Sequence, residues 1–375
     1  MHRWRGWLTL LSLLLVLAGC APADPSAGVP TVPTQKPQAE PAPPLRLAVP
    51  SPQASGPRMM KIGGLPTLSL APVVIALARG YFNQEGLLVE LVSFNNEAEI
   101  LTALSAGQID AAVSVTPSAG LVSAVARGVE VRIVASNGTL VPHRNIGNIL
   151  VRSDLAPRSG FLDWKTLKPP IRAAATTEGS LPHAIILLEA EKAGFKIADV
   201  TMSFLDLPAM NAALQSGQLD LAASAEPLVT LAEQQGSAVR WREMSEDFPA
   251  VPYSTMLYGP NLLNRDPEGG LRLMRAYLQA AHDYEAAFNT GRDHDAVLAM
   301  LASQSGLDAA LFTAVQYGGG LPYIDPVGAI NIETLKPMLD LWVRTGLVQT
   351  GFDVQRLVDT TVAQAAVKSI GATPR

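Results

Sequence analysis

Thr116-Pro117 and Glu226-Pro227 occupy the same point of a pattern written twice in this chain, and a hydroxyl and a carboxylate placed there could hold a polar small molecule by hydrogen bonding. The pattern spans residues 93–117 and 203–227. Aligned without a gap at an offset of 110, Ser93/Ser203, Phe94/Phe204, Ala103/Ala213, Leu104/Leu214, Gly107/Gly217, Gln108/Gln218, Asp110/Asp220, Ala112/Ala222, Ser114/Ser224 and Pro117/Pro227 are identical, ten positions in twenty-five. Chance rarely gives that density.

Groups suited to catalysis do not assemble in the same way. His143, His183, His282 and His294 are scattered, no His-x-x-x-His spacing occurs, and Asp293-His294-Asp295 reads as the acidic start of a helix. Tyr317-Gly318-Gly319-Gly320 lacks the Lys-Ser/Thr of a phosphate loop and reads as a turn. No nucleophile and base pair can be named. The expectation is a binding protein and not an enzyme, with no metal and no cofactor.

The elements that must position Thr116 and Glu226 follow from the repeat itself. Leu88-Val89-Glu90-Leu91-Val92-Ser93-Phe94 is strand-like, Ile100, Leu101 and Leu104 put an apolar stripe on a helix, and Gly107 suits the left-handed turn that ends it. Ile109–Val115 is then a short strand of small residues, and Pro117 is expected in the first turn of the next helix. Strands alternating with helices predict an α/β fold whose sheets carry helices on both faces. Ligands bind such sheets beyond the carboxyl ends of the strands, so two copies in two lobes would set Thr116 and Glu226 across a cleft.

The ends of the chain speak to location. His2, Arg3 and Arg5 precede an apolar run from Leu8 to Leu17 that is short for a membrane span. Leu17-Ala18-Gly19-Cys20 closes it and resembles a bacterial lipobox, which implies cleavage before Cys20, the one cysteine, and makes it the diacylated first residue of the mature protein. Residues 21–57 hold eleven of the 29 prolines, a composition that cannot bury a core and suits an extended tether. Beyond residue 57 the composition turns globular. After removal of Arg3 and Arg5 with the leader, 26 basic residues stand against 33 acidic ones, scattered in a way that gives no nucleic-acid footprint.

A family resemblance runs through residues 60–260. Ala78-Arg79-Gly80-Tyr81-Phe82, Glu85-Gly86-Leu87 and Ala103-Leu104-Ser105-Ala106-Gly107-Gln108-Ile109-Asp110 resemble type II solute-binding lipoproteins of ABC importers, in the group that serves nitrate, sulfonates, taurine, thiamine-pyrimidine precursors and riboflavin. The resemblance implies a two-lobed periplasmic-binding-protein-like fold (type II), each lobe a mixed sheet flanked by helices. Residues 1–19 would be the signal peptide, 20–57 the lipidated cysteine and tether, 58–140 with 255–375 the first lobe, and 141–254 the second. Crossings between lobes are expected between Asn137 and Asn148 and near Tyr253–Tyr258. Implied partners are a small-molecule ligand, an ABC permease with its ATPase, and the outer face of a cell membrane reached through the lipid, the protein itself being a monomer. An extracytoplasmic sensor would carry the same lobes.

The resemblance also carries ligand contacts over to matching loops. They are Thr67, Leu68 and Ser69, Asn95 and Asn96, Thr116 and Asn137 from the first lobe, and Thr177, Glu178, Ser180, His183 and Glu226 from the second. Two carboxylates, Glu178 and Glu226, near one cleft would repel a small anion and suit a planar heterocycle with N–H donors. Riboflavin or a thiamine-pyrimidine precursor is therefore the expectation, with sulfonate, taurine or nitrate as the alternative. The loop Leu65–Pro72 lacks the aromatic that the pyrimidine group implies, which leaves Phe94, Phe204, Tyr253, Tyr317 and Tyr323 as stacking candidates. A cysteine-rich iron motif, which the related pyrimidine synthase would require, is missing from the sequence.

Overall fold

The computed structural model describes residues 56–144, 146–156, 164–305 and 309–371. The leader, Cys20 and all of the proline-rich stretch before Gly56 lie outside the described residues. A first set of elements comprises β1 (Arg58–Gly64), α1 (Ala71–Ala78), α2 (Tyr81–Gln84), β2 (Leu87–Ser93), α3 (Glu97–Ser105), β3 (Ala111–Val115), α4 (Ala119–Ala126) and β4 (Arg132–Thr139). A second set comprises β5 (Gly147–Arg152), β6 (Ile171–Ala175), α5 (Leu181–Lys192), β7 (Val200–Phe204), α6 (Leu207–Gln215), β8 (Leu221–Ala225), α7 (Leu228–Gln234), β9 (Ala238–Glu243) and α8 (Met244–Asp247). The chain returns through β10 (Pro252–Tyr258) and ends in α9 (Pro267–Thr290), α10 (His294–Ser305), α11 (Ala309–Tyr317), α12 (Lys336–Arg344) and α13 (Thr361–Ile370).

Two five-stranded mixed sheets result, in the orders β2-β1-β3-β10-β4 and β7-β6-β8-β5-β9. Their topologies are the same. In each, four strands run in one direction and one antiparallel strand, β10 or β5, is inserted between the third and the last. The duplicated text maps onto equivalent elements: α3 and α6, then β3 and β8, all start 110 residues apart. Asn96 and Asp206 cap the two helices, their side chains accepting from the amides of Glu99 and Ala209. Gly107 and Gly217 follow with φ of 70° and 75°, a conformation open to glycine because it has no Cβ.

The repeated aspartates bind each sheet to the turn before it. Asp110 Oδ2 accepts from the amide of Lys61 at 2.7 Å, and Asp220 Oδ2 accepts from the amide of Arg172 at 2.9 Å. Asn261 bridges Asp110 and the Gly107 carbonyl, while Arg172 bridges Asp220 and the Gly217 carbonyl. Different side chains thus satisfy the same backbone groups.

The prolines of the repeat behave otherwise than expected. Ser118 caps α4, accepting from the amide of Leu121, so Pro117 precedes the helix instead of entering its first turn. Pro227 follows a cis peptide bond and is itself the residue before α7.

The segments that leave β4 and enter β10 carry the chain between the sheets, and they pair at Leu140, Ala250 and Val251. Leu140 donates to the Val251 carbonyl at 2.9 Å, and Ala250 donates to the Leu140 carbonyl at 2.8 Å. The core of the first lobe includes Met274, Tyr277, Leu278 and Ala281, the buried stripe of α9. One stretch departs from the lobe boundaries expected from sequence. Helix α12, within 255–375, packs on α5 of the second lobe, where Arg344 pairs with Glu191 at 2.8 and 2.9 Å. The chain then returns, and α13 lies on α9.

Candidate functional site

Between the sheets, beyond the carboxyl ends of β1, β3, β6 and β8, lies a small cavity of about 30 Å³. That is room for about two water molecules. Both lobes line it: Glu97, Thr116, Ser69, Ser114 and Tyr253 from one side, and Thr176, Pro182, Leu207, Ala223 and Ala225 from the other. A second space of about 260 Å³ opens beside it, sharing Thr67, with a wall of Leu68, Leu70, Val74, Leu91, Leu301 and Phe312 and with Pro227 from the second lobe.

Glu97 is the centre of the inner cavity. It begins α3, one residue after the cap Asn96, and its side chain turns inward until the residue is 4% exposed. Its carboxylate accepts from Thr176 Oγ1 at 3.2 Å, Thr177 Oγ1 at 3.1 Å and, more distantly, Thr116 Oγ1 at 3.4 Å. Two lobes therefore meet on one carboxylate. Burial pushes the Glu97 carboxyl above its ordinary value, while its own amide and the three hydroxyls pull the other way, with no cation among them. Burial, reinforced by the Glu97 charge, likewise raises the phenol of Tyr253. The Tyr253 ring lies so close to β5 that a Cβ on Gly147 would come within 2.6 Å of it.

Ser69 Oγ and Ser114 Oγ, two hydroxyls in the same wall, are buried and have no hydrogen-bond partner among the described residues. Ser114 holds φ at 59°, an uncommon conformation for a residue with a Cβ, and its amide donates to Asn137 Oδ1 at 2.9 Å. Asn137 is fully committed: Oδ1 also accepts from Ser254 Oγ, and Nδ2 donates to the Ser69 carbonyl and to Tyr277. It braces the site and has no capacity left for a ligand.

The remaining residues expected at the site separate accordingly. Thr67, Ser69 and Thr116 line the inner cavity, Thr67 and Leu68 line the outer one, and Thr177 reaches it through Glu97. Asn95 is exposed and Asn96 is occupied as a cap. Ser180 caps α5, accepting from the amide of His183, and pairs with Ser118 across the lobes. Glu178 is exposed and is not among the residues lining either space, so the argument that it would repel an anion does not hold. Glu226 is wholly buried and lines neither space, pairing with Arg240 at 2.7 Å and accepting from the amide and hydroxyl of Thr230. Of the aromatics, Tyr253 lines the cavity; Phe204 packs edge-on to His183, Tyr317 is exposed, and Tyr323 lies under Arg144.

His183 serves the loop rather than the cavity. Its Nδ1 accepts from the amide of Gly179 at 2.9 Å, and burial lowers its pKa from 6.5 to about 4. The stability carried by the neutral ring is full above pH 6.5 and is lost as pH falls toward about 4, a difference of about 3 kcal/mol. Denaturant titrations at about pH 7.5 and about pH 4 should show that loss in the native protein and a smaller one in His183→Asn, whose amide oxygen can still accept from Gly179. Equal losses in both would remove His183 from the account.

Gly179 itself closes the gap between lobes. Its carbonyl accepts from the amide of Ala119 at 2.8 Å, and with φ at 71° a Cβ there would stand 2.6 Å from that of Ala119. Among the described residues no cluster of three or more His, Cys, Asp or Glu side chains could hold a metal, and no helix is long and apolar enough to cross a membrane.

Comparison with known proteins agrees with this architecture. The alkanesulfonate-binding protein of Xanthomonas axonopodis pv. citri, bound to MOPS, is 22% identical, with a TM-score of 0.64 over 82% of this chain and 99% of its own. The periplasmic nitrate-binding protein of Synechocystis PCC 6803 is 14% identical, with a TM-score of 0.69 over 84% of this chain and 90% of its own. A ligand-binding component of an ABC-type import system from Staphylococcus aureus is 15% identical, with a TM-score of 0.67 over 82% and 99%. At such identities the likeness shows the fold, which is the periplasmic-binding-protein-like fold. No curated protein sequence matches the chain. A family model does, over residues 53–301, about two thirds of the sequence: the chain belongs to the NMT1-like family.

Proposed function

We propose that this protein is the extracytoplasmic solute-binding component of an ABC importer, closing its two lobes on a small molecule and presenting it to the membrane permease. The observation that carries the reading is the meeting of both lobes on one polar cavity, through the Glu97 hydroxyl cluster and the Ala119–Gly179 hydrogen bond. Paired crossings at Leu140 and Val251 suit a hinge, since few backbone angles need to change there for the lobes to part. The reading is of capture without turnover.

Among the ligands weighed from sequence, the neighbours named for alkanesulfonate and nitrate favour the alternative over riboflavin or a pyrimidine precursor. The Glu178 argument for a heterocycle has no support in the geometry. Anchoring through Cys20 belongs to the same proposal and accounts for a proline-rich tether behind the leader. Thermal unfolding in the presence of nitrate, alkanesulfonates, taurine, alkylamines, pyrimidines and riboflavin tests the reading. One compound should raise the midpoint by several degrees at a concentration about 100 times its Kd, a stabilisation of about 2.7 kcal/mol. Midpoints unmoved by every member would count against small-molecule capture in this cleft.

A further inference from the structure

The inner cavity holds a carboxylate with nothing to balance its charge. Glu97 is buried, the cavity walls include no Lys, Arg or His, and the groups facing it from every side are uncharged: Thr116 beyond β3, Thr176 and Thr177 beyond β6, its own amide on α3 and the phenol of Tyr253 on β10. Removing a carboxylate from water without a counter-charge is costly: such a group either takes up a proton, the direction in which burial pushes Glu97, or meets a charge supplied from outside the fold. A second observation points the same way: Ser69 Oγ and Ser114 Oγ, both buried in this wall, have no hydrogen-bond partner among the described residues. Each hydroxyl can accept a hydrogen from an N–H group.

We infer that the ligand places an ammonium or amidinium head against Glu97, within reach of Ser69 and Ser114, and extends a non-polar body into the adjoining apolar space. The two spaces share Thr67 in their walls and lie side by side. Leu68, Leu70, Val74, Leu91, Leu301 and Phe312 make most of the wall of the larger space apolar, with the hydroxyls of Thr67 and Ser93 beside them. This ligand class rests on the solute-binding reading above and separates the chain from the sulfonate- and nitrate-binding proteins whose fold it shares.

Selectivity for a cation has a pH signature opposite to that of an anion. A cation needs Glu97 ionised, so its affinity rises as pH climbs through the raised pKa of this carboxyl and is lost on acidification. An anion would be repelled by the ionised form and would bind better as pH falls. The phenol of Tyr253, raised in the same cavity, stays protonated across this window.

Calorimetric titration of the full chain with a matched pair, n-butylamine and butane-1-sulfonate, tests the inference, with benzamidine as a second cationic probe. The expected result is binding of the cationic probes to the native protein at about pH 7.5, weaker at about pH 5, and weaker by at least about 30-fold in Glu97→Gln. Glu97→Gln should unfold at the same temperature as the native protein or higher, because the variant removes an unbalanced buried charge. Binding of the sulfonate and not the amines, strengthened in Glu97→Gln, would overturn the cationic inference while leaving solute capture intact. Failure of both amine probes to bind would also overturn it.

Discussion

Arg240→Ala is expected to lower the folding stability of this protein by roughly 3–5 kcal/mol, the largest single-residue effect the structure points to outside the hydrophobic core. Glu226 is 0% exposed, and its carboxylate meets Arg240 at 2.7 Å. Burial alone pushes the Glu226 carboxyl up, and Arg240 is the main group drawing it back. Removing the guanidinium strands the charge. It also releases the Gly318 carbonyl, to which Arg240 donates, at the turn where a Cβ on Gly320 would press within 2.6 Å of Glu226. Urea unfolding of Arg240→Ala, Glu226→Gln and the double variant Glu226→Gln with Arg240→Ala separates a pair from two independent residues. The double variant should be more stable than Arg240→Ala alone. Strict additivity of the single losses would deny the coupling.

Gly179→Val is expected to weaken ligand binding by about 100-fold, because closure needs the Gly179 loop to lie against Ala119 and valine forbids it. The new Cβ would stand 2.6 Å from the Ala119 Cβ, and the backbone at φ 71° disfavours any side chain. Gly194→Ala separates the two effects. Gly194 has φ of 92° with nothing within 4 Å of the Cβ site, so that variant carries backbone strain without blocking the lobes. Both variants should unfold earlier than the native protein, and only Gly179→Val should lose affinity. Parallel losses of affinity in the two would assign the effect to strain.

The fold was legible because its signals are local and doubled. Helix stripes, the glycines at 107 and 217, and the strands of small residues at 111–115 and 221–225 appear at one offset, so each copy checks the other. Helix α12 was not legible as part of the second lobe, since its docking on α5 depends on a long-range contact that chain order does not reveal. Of the residues that sequence placed at the candidate site, Thr67, Ser69 and Thr116 line the inner cavity, and the two carboxylates do not. Sequence offered Glu178 and Glu226 as the carboxylates, yet one faces solvent and the other is held by Arg240, 14 residues on.

The cavity's own carboxylate comes from a break in the repeat. Glu97 and Leu207 stand 110 residues apart, begin equivalent helices, and both line the cavity, one charged and one apolar. An acidic residue beside a helix cap reads as an ordinary partner of the helix dipole, which is why composition and spacing passed over it. The mismatch between copies was the available signal. Asn137 shows the converse: its place after a strand suggests a ligand contact, and only the hydrogen-bond count reveals that the fold has used it all.

Closure on a ligand can be read at one amide. Ala119 is the first residue of α4, where a backbone N–H has no acceptor within its own helix, and its partner is the Gly179 carbonyl of the opposite lobe at 2.8 Å. Hydrogen exchange at this amide, followed with and without whichever compound stabilises the protein, should slow by about 100-fold on binding, while amides of the β1–β3 core stay unchanged. Exchange at Ala119 that is indifferent to a tightly bound compound would contradict the account of two lobes closing on a solute.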